Sequence, residues 1–459
     1  MKISGSFCRT AMLLALACFP LVTSLAAEKA EWRAGVAVAD ITPTSPTWMA
    51  GYAARKSPSQ GTAQALHAKA LALEDSRANR CIIVTTDLLG LPSAISEPIA
   101  EQIRQRYGLR RDQVLLTSSH THSGPVLRES LISMYSLDAL QAEAVRIYTA
   151  RLQEQIADVV GAAIKDLSPA RLSLDRTEAH FAVNRRLKKD DHFIIGVNPE
   201  GPVDFQVTIL RVARPDDSIK AVLFSYACHN TTLTQDNYRF HGDYAGVAQE
   251  ELEKAIPGAT ALFMLGCAAD ANPNPRGNIQ LAWTHGRSLA QAVRYALSDH
   301  MRAVRGPLRT LFDRVDLPFA KLPTREELQA RLQNPEVYVR RNAQLLLAAL
   351  DEKGALPQSY SYPIGVVKFG GDLTLVALSG EVVVDYAIRL RKDLGSPGKL
   401  WIAAYANDVF AYIASKRLLN EGGYEADSSM IYYGLPGPWA PEVEDLLVGK
   451  VIQMVKAAK

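Results

Sequence analysis

No block of basic residues stands out in this 459-residue sequence, and its 51 Lys+Arg against 48 Asp+Glu leave a net charge of +3. That near-balance argues against nucleic acid as the main partner. No apolar run is long enough to span a bilayer comfortably. No repeat recurs along the chain and no low-complexity linker divides it. Cysteine is scarce: of five residues, Cys8 and Cys18 fall near the N-terminus, which leaves Cys81, Cys228 and Cys267 in or beside apolar runs. An odd number cannot pair completely. Buried free thiols are therefore expected, although an exported protein can hold one bridge.

What is present is globular. With 48% hydrophobic and 22% charged residues the chain can build a large core. Its length allows one large domain or two to three ordinary ones, and the missing linker favours one. The N-terminus reads as a secretion signal: Lys2 and Arg9 are basic, Ala11 to Val22 is mostly apolar, and Ser24-Leu25-Ala26 fits cleavage after Ala26. Ala15-Leu16-Ala17 before Cys18 is a poor lipoprotein box. The expected organisation is a signal peptide at 1–26 and a mature chain at 27–459, exported to the periplasm or outside the cell.

Strand-like runs are Arg33–Ala39, Ala68–Leu73, Cys81–Thr85, Gln113–Leu116, Phe205–Val212, Ala221–Ala227, Ala259–Leu265, Gly365–Phe369, Leu373–Leu378 and Trp401–Tyr405. Helical periodicity marks Leu140–Leu167, Tyr244–Ala255, Gln280–Leu297, Val382–Leu394 and Val443–Val455. Thr324 with Glu327 forms a capping box ahead of one further run, Leu328–Leu350. Alternating strands and helices point to an α/β protein: a mixed β-sheet core flanked by helices, in a single large domain. Lys188–His192 is polar and reads as a surface loop.

The most telling stretch is Ser118-Ser119-His120-Thr121-His122-Ser123-Gly124-Pro125, just past the apolar Val114-Leu115-Leu116. In extended chain, residues i and i+2 share a side, so His120 and His122 can face one point. Two imidazoles aimed at one spot suit a metal site or an acid–base pair. A surface loop holding two histidines fits that segment as well. His229 ends another apolar strand, Asp243 either caps a helix or serves a site, and the loop around Asp270 and Asn272 is dense in side-chain oxygens. Glu381 follows Ser379-Gly380 near a helix start, where a carboxylate either complements the dipole or binds a metal. Tyr412 and Tyr424 are packing residues or, beside a metal, oxygen donors.

Taken together these segments resemble the neutral/alkaline ceramidase family. His-Thr-His-Ser-Gly-Pro at 120–125 is the strongest match. Ala34-Gly35-Val36-Ala37-Val38-Ala39-Asp40-Ile41-Thr42-Pro43 looks like that family's first strand, and Gly51-Tyr52 like its following turn. Asn184-Arg185, Gly380-Glu381, Asn407 to Tyr412, and Tyr424-Glu425 are similar to its later elements, so the likeness runs from about Arg33 to about Gly434. The resemblance implies a zinc site formed by His120, His229, Glu381 and Tyr412. It also implies that His122 assists the site or contacts the substrate carbonyl, and that Arg185 and Tyr424 line the site and polarise an amide. Two departures bear on the substrate. Asn272 stands where the family carries a functional serine, and the sequence stops soon after the catalytic region, where family members continue into a sandwich domain.

The expected function is zinc-assisted hydrolysis of an N-acyl amide, ceramide or a related N-acyl lipid, without a serine-acyl step. Asn272 would orient water or donate a hydrogen bond. A zinc esterase or phosphoesterase on the same scaffold, and a non-catalytic metal-containing binding protein, are the alternatives. A lipid substrate would be met through loops in a transient membrane-surface contact.

Overall fold

The structure, a computed structural model, describes residues 1–3, 5, 31–395 and 397–458. The expected leader therefore lies outside the described residues, apart from its first few, as do Cys8 and Cys18. Cys81, Cys228 and Cys267 are buried free thiols, as their apolar neighbours led us to expect.

Period-2 alternation sets the layers. In Arg80–Thr86, Cys81 and Ile83 point to one face and Ile82 and Val84 to the other. This strand belongs to a nine-stranded sheet, whose spatial order is Thr260–Leu265, Ile219–Tyr226, Gln206–Ala213, Ser168–Glu178, Trp32–Asp40, His67–Asp75, Arg80–Thr86, Val114–Ser118, with Arg302–Val304 added on Ser168–Glu178. A four-stranded sheet has the order Leu308–Pro318, Ser359–Phe369, Leu373–Leu378, Leu400–Ala403. The two sheets pack face to face: Ile83, Leu115, Leu223 and Met264 meet Val367, Phe369, Leu375 and Trp401. Trp401 Nε1 donates to Ser225 Oγ across that interface at 2.7 Å. Helices Ser93–Tyr107, Ala139–Lys165, Asp243–Ala255 and Ile279–Leu297 cover the outer face of the large sheet, and Val384–Leu394 and Val443–Ala457 cover that of the smaller one. The result is a four-layer helix–sheet–sheet–helix sandwich, the mixed core flanked by helices that the alternation implied. No helix among the described residues is long and apolar enough to cross a membrane.

The structure corrects the element reading in three places. The run Leu328–Leu350 is two helices, Arg325–Arg331 and Val337–Lys353. Pro335 lacks an N–H and disfavours helix at Asn334, so the periodic pattern breaks there. The capping box of Thr324 and Glu327 is present at the first of them. Lys188–His192 is the exposed tip of a hairpin, Ala182–Lys189 with His192–Asn198, which joins Ala271–Pro273 in a third sheet. Its charged, half-exposed strands carry little apolar alternation. Helix Ser93–Tyr107 went unmarked although Ile95, Ile99 and Ile103 are buried on one face; Pro98 lies inside it.

Parallel pairing positions the site. Val114–Ser118 runs parallel to Arg80–Thr86, Thr260–Leu265 to Ile219–Tyr226, and Leu400–Ala403 to Leu373–Leu378. Their C-terminal ends are tied together by residues 404–407. Ala404 N–H donates to Leu265 O at 2.9 Å, Ala406 N–H to Leu378 O at 3.0 Å and Asn407 N–H to Leu116 O at 2.7 Å. Tyr405 and Asn407 adopt positive φ of 54° and 63° to make those turns. Asn407 Oδ1 also accepts from Leu116 N–H at 3.3 Å.

Asn tolerates the left-handed region better than most residues. Asn407→Ala should therefore lose both the side-chain bond and the turn preference, at a cost of roughly 2 kcal/mol. The check is the urea midpoint, expected to fall at constant slope; an unchanged midpoint would count against the stitch.

Candidate metal centre

The segment after Val114–Ser118 does not continue as extended chain. His120 has φ 61°, and the two imidazoles meet edge to face with centroids 4.8 Å apart. They converge as expected, but through a left-handed turn and not through strand alternation. Thr121 Oγ1 donates to His241 O at 2.7 Å and holds the turn from below. Gly51 is required beside it: a Cβ there would lie 2.4 Å from His122 Nδ1.

Three imidazoles and one carboxylate share one buried point. His120 Nε2 lies 3.1 Å from His229 Nε2 and 3.2 Å from His122 Nε2. Glu381 Oε2 lies 3.1 Å from His120 Nε2 and 3.3 Å from His229 Nε2. The far sides of two rings are pinned: His120 Nδ1 faces Leu89 O at 2.5 Å and His229 Nδ1 faces Ala268 O at 2.9 Å. A carbonyl only accepts, so both Nδ1 atoms carry the proton and both Nε2 atoms present lone pairs. Two lone pairs and a carboxylate oxygen then face one another within about 3 Å with no donor of their own, and Glu381 Oε2 has no hydrogen-bond partner. This donor set fits a divalent cation of the kind imidazole and carboxylate bind. His120, His122 and His229 are placed so that one ion could touch all three.

Electrostatics agree. Burial pushes His229 down to about 4, with Arg185 adding to the effect, so its ring is neutral near pH 7. Burial alone would raise the Glu381 carboxyl, but positive charge at the His120 and His229 rings, the place a bound cation would occupy, holds it well below the usual range. Glu381 is delivered by Gly380, whose φ is 74° and whose Cβ would meet Ala411 O at 2.8 Å. The short strand Glu381–Val382 pairs in parallel with Tyr412–Ile413, which sets Glu381 opposite Tyr412. Tyr433 donates its phenol proton to Glu381 Oε1 and leaves Oε2 facing the histidines.

A cavity of about 510 Å³ adjoins the cluster, lined in part by His122, Arg185, Asn272, Tyr412 and Tyr424. Five of the eight residues singled out by sequence thus form its wall, while His120, His229 and Glu381 lie buried behind it. Arg185 Nη2 donates to Tyr412 Oη at 3.0 Å, its Nη1 points to Asn272 Oδ1 at 3.4 Å and its Nε binds Glu425 at 2.8 Å. Burial pushes the Tyr412 phenol up, and Arg185 opposes that rise. Thr231 Oγ1 donates to Asn272 Oδ1 at 3.3 Å, so the Asn272 carbonyl is spoken for by the protein.

Asp243 and Asp270 are structural here. Asp243 opens its helix and accepts from Tyr244 N–H at 2.7 Å and Leu233 N–H at 2.8 Å. Asp270 accepts from Val384 N–H at 2.9 Å and Asn184 Nδ2 at 3.4 Å. Sequence reasoning missed Tyr433, Glu425 as the anchor of both Arg185 and Arg186, Tyr52 against the His122 ring at 4.8 Å, and Tyr405 against the His120 ring at 4.5 Å. Tyr52 and Glu425 fall in the family-like Gly51-Tyr52 and Tyr424-Glu425 segments, which did not reveal these contacts, and Tyr433 acts from a separate segment.

Comparisons with known proteins agree with this geometry. Residues 32–292 match the family described as neutral/alkaline non-lysosomal ceramidase, N-terminal. Neutral ceramidase A of Dictyostelium discoideum is 27% identical over 271 residues, 54% of this chain and 37% of that protein. The neutral ceramidase of Pseudomonas aeruginosa is 26% identical over 277 residues, 58% of this chain and 40% of that protein. The matched part thus spans 40% or less of the length of these two relatives. The crystal structure of neutral ceramidase from Pseudomonas aeruginosa superposes with a TM-score of 0.72 at 20% identity, covering 93% of this chain and 74% of that one. A ceramidase complexed with C2 gives 0.70 at 18%, covering 92% and 76%. At such identities the structural likeness is one of fold.

Tyr433→Phe should weaken divalent-metal binding about 10- to 100-fold, as loss of a ligand's outer partner does, with the urea midpoint of the metal-free protein little changed. Chelator competition reads it, and unaltered affinity would remove Tyr433 from the site. A second expectation concerns acid. Burial holds His241 down at about 4, and its Nδ1 accepts from Asp243 N–H at 2.9 Å. Unfolded histidine protonates near 6.5. Between those values the unfolded chain gains a proton that the folded chain refuses, so stability falls as pH drops from about 6.5 to 4, by up to about 3 kcal/mol. His241→Asn keeps an acceptor and removes the titration. Its urea midpoint should fall less than the parent's between pH 7 and pH 5, and equal falls would refute the assignment.

Proposed function

The chain belongs to the neutral/alkaline non-lysosomal ceramidase family, and on that footing we propose that it is an exported, zinc-dependent amidohydrolase cleaving an N-acyl amide, ceramide or a related N-acyl lipid. The observation that carries the metal reading is the set of pinned tautomers. A cation relieves all three of these buried acceptors at once, whereas His122 Nε2, 3.2 Å from His120 Nε2, can donate to that ring alone. His120, His229 and Glu381 would hold the ion, with Tyr412 as the further ligand that the family resemblance suggests. When bound, zinc supplies Lewis-acid polarisation and a more acidic water. The donors adjoin an open cavity, which favours catalysis over a closed structural site.

The remaining roles belong to the chain's own side chains. Arg185 keeps its charge beside the Tyr412 oxygen and favours the ionised phenol. Tyr424 presents its phenol to the cavity, where it can donate to the oxygen of a substrate carbonyl as charge develops there. No hydrogen bond pins His122 Nδ1, in contrast to its two neighbours. His122 is thus the ring free to change tautomer, and it is suited to move a proton toward the leaving amine. Asn272 cannot be acylated as a serine can, so this reading has no acyl-enzyme step. Ile195 and Val197, 52% and 51% exposed on the hairpin beside the cavity, support a transient contact with a lipid surface.

Export rests on Lys2, Arg9 and the apolar stretch before Ala26; N-terminal sequencing of the protein recovered outside the cytoplasm should begin at Ala27. His120→Ala should abolish both zinc content and turnover of an N-acyl lipid pool read by mass spectrometry, and full activity in that variant would sink the hydrolase reading. Tyr424→Phe should lower kcat about 100- to 1000-fold with zinc stoichiometry unchanged.

A further inference from the structure

The wall of the cavity next to the histidine cluster carries a cation that the amide chemistry above does not use, Arg276. That wall carries Arg185 and Arg276 against one carboxylate, Asp236. Arg185 is paired with Glu425, and Arg186 with Glu425 and Glu421. Behind the wall Arg55 is buried with carbonyl oxygens as its acceptors: its Nη1 donates to Ala50 O and His122 O, each at 2.7 Å, and its Nη2 to Asn237 O at 3.0 Å. Its charge lies 4.9 Å from the Tyr52 ring centroid. Arg55 and Arg276 are thus guanidinium groups at the cavity with no ion-pair partner among the described residues.

Of the two, Arg276 is the one on the cavity wall. Among the described residues its one hydrogen-bond acceptor is Tyr52 Oη, at 3.0 Å, and its Nε is buried without a partner. Tyr52 Oη is itself committed as a donor to Leu233 O at 2.9 Å. The loop carrying Arg276 is held on both sides. Pro275 O is 2.7 Å from His285 Nε2, and Gly277 N–H donates to Thr232 O at 2.8 Å. A half-buried guanidinium on an anchored loop, with Nη1 unbonded and no ion pair among the described residues, is arranged for an incoming acceptor. Asn272, four residues earlier, lines the same cavity, so one loop supplies the residue that replaces the family's serine and this cation. Thr231, Thr234 and Gln235 make the surrounding wall polar, while Met134 and Ile195 supply an apolar side for a chain.

We propose that Arg276 forms an anion-recognising subsite, and that the preferred substrate is an N-acyl amine whose head group carries a carboxylate or sulfonate, such as an N-acyl amino acid, with its acyl chain toward Met134 and Ile195. This rests on the amidohydrolase reading for turnover, but not for binding. The guanidinium fork takes two acceptor oxygens side by side, which a neutral sphingoid head group does not offer.

The test compares lauroyl-glycine, lauroyl-ethanolamide and a short-chain ceramide on the zinc-loaded full chain. It is paired with calorimetric binding of lauroyl-glycine to the chain kept metal-free by chelator. Lauroyl-glycine should have the highest kcat/KM. Arg276→Gln should lower its kcat/KM about 10- to 100-fold, as loss of a charge-assisted contact does, mainly through KM, and weaken its binding to the metal-free chain by a similar factor. Turnover of the ethanolamide should stay within about twofold, which also shows that the variant is folded, and Arg276→Lys should recover part of the loss. Equal KM effects on the acidic and neutral substrates, or cleavage of the neutral ones alone, would overturn the subsite and leave the hydrolase standing. Arg276-dependent binding with no turnover of any amide would do the reverse.

Discussion

Two carbonyl oxygens, Leu89 O and Ala268 O, govern this molecule's chemistry. Each accepts the Nδ1 proton of a histidine, and so each turns the opposite nitrogen into a bare acceptor aimed at the same point. Tyr433 does the corresponding work for Glu381 by occupying one carboxylate oxygen. The converging acceptors repel one another in a region with little water to screen them. The fold must hold that repulsion in place, and the rest of the structure can be understood as the means of doing so.

The means are layered. Two sheets packed face to face give a stiff base, and parallel pairs bring several strand ends to one region. Residues 404–407 then bond to three of those ends at once. Non-glycine residues in left-handed backbone gather around that junction: His120, Tyr405 and Asn407. Such conformations cost energy and persist where the surroundings over-determine them. Here buried side chains do so, with Asp243 on Leu233, Asp270 on Val384 and Thr121 on His241.

Around this centre the polar groups are of two kinds. Glu425, Arg186 and Arg185 form a closed ion-pair network that fixes the Arg185 fork against Tyr412. Arg276 is left open, with no hydrogen bond on Nη1 among the described residues, and His122 keeps a buried Nδ1 without a partner. Closed groups set geometry, and open ones are available to a bound molecule. Their shared cavity also carries Asn272.

Much of the architecture was legible locally. Each of the ten strand-like runs overlaps a strand, because both faces of the packed sheets are covered and leave near-continuous apolar runs; Gly365–Phe369, for instance, lies within Ser359–Phe369. The helix starting at Thr324 declared its own cap, and the break at Pro335 could have been read from proline chemistry. Strands such as Leu308–Pro318 and the hairpin Ala182–Asn198 were not marked, because charged residues interrupt their apolar pattern and pairing supplies the order that composition does not. At the site the sequence by itself determined the inventory: which imidazoles, carboxylate, phenols and guanidinium follow strand ends. Tertiary structure alone decided their roles. A histidine's tautomer depends on which carbonyl lies behind it, and a carboxylate's free oxygen on which phenol reaches the other. Those partners, Leu89 for His120, Ala268 for His229 and Tyr433 for Glu381, come from other turns of the chain, where no spacing rule reaches.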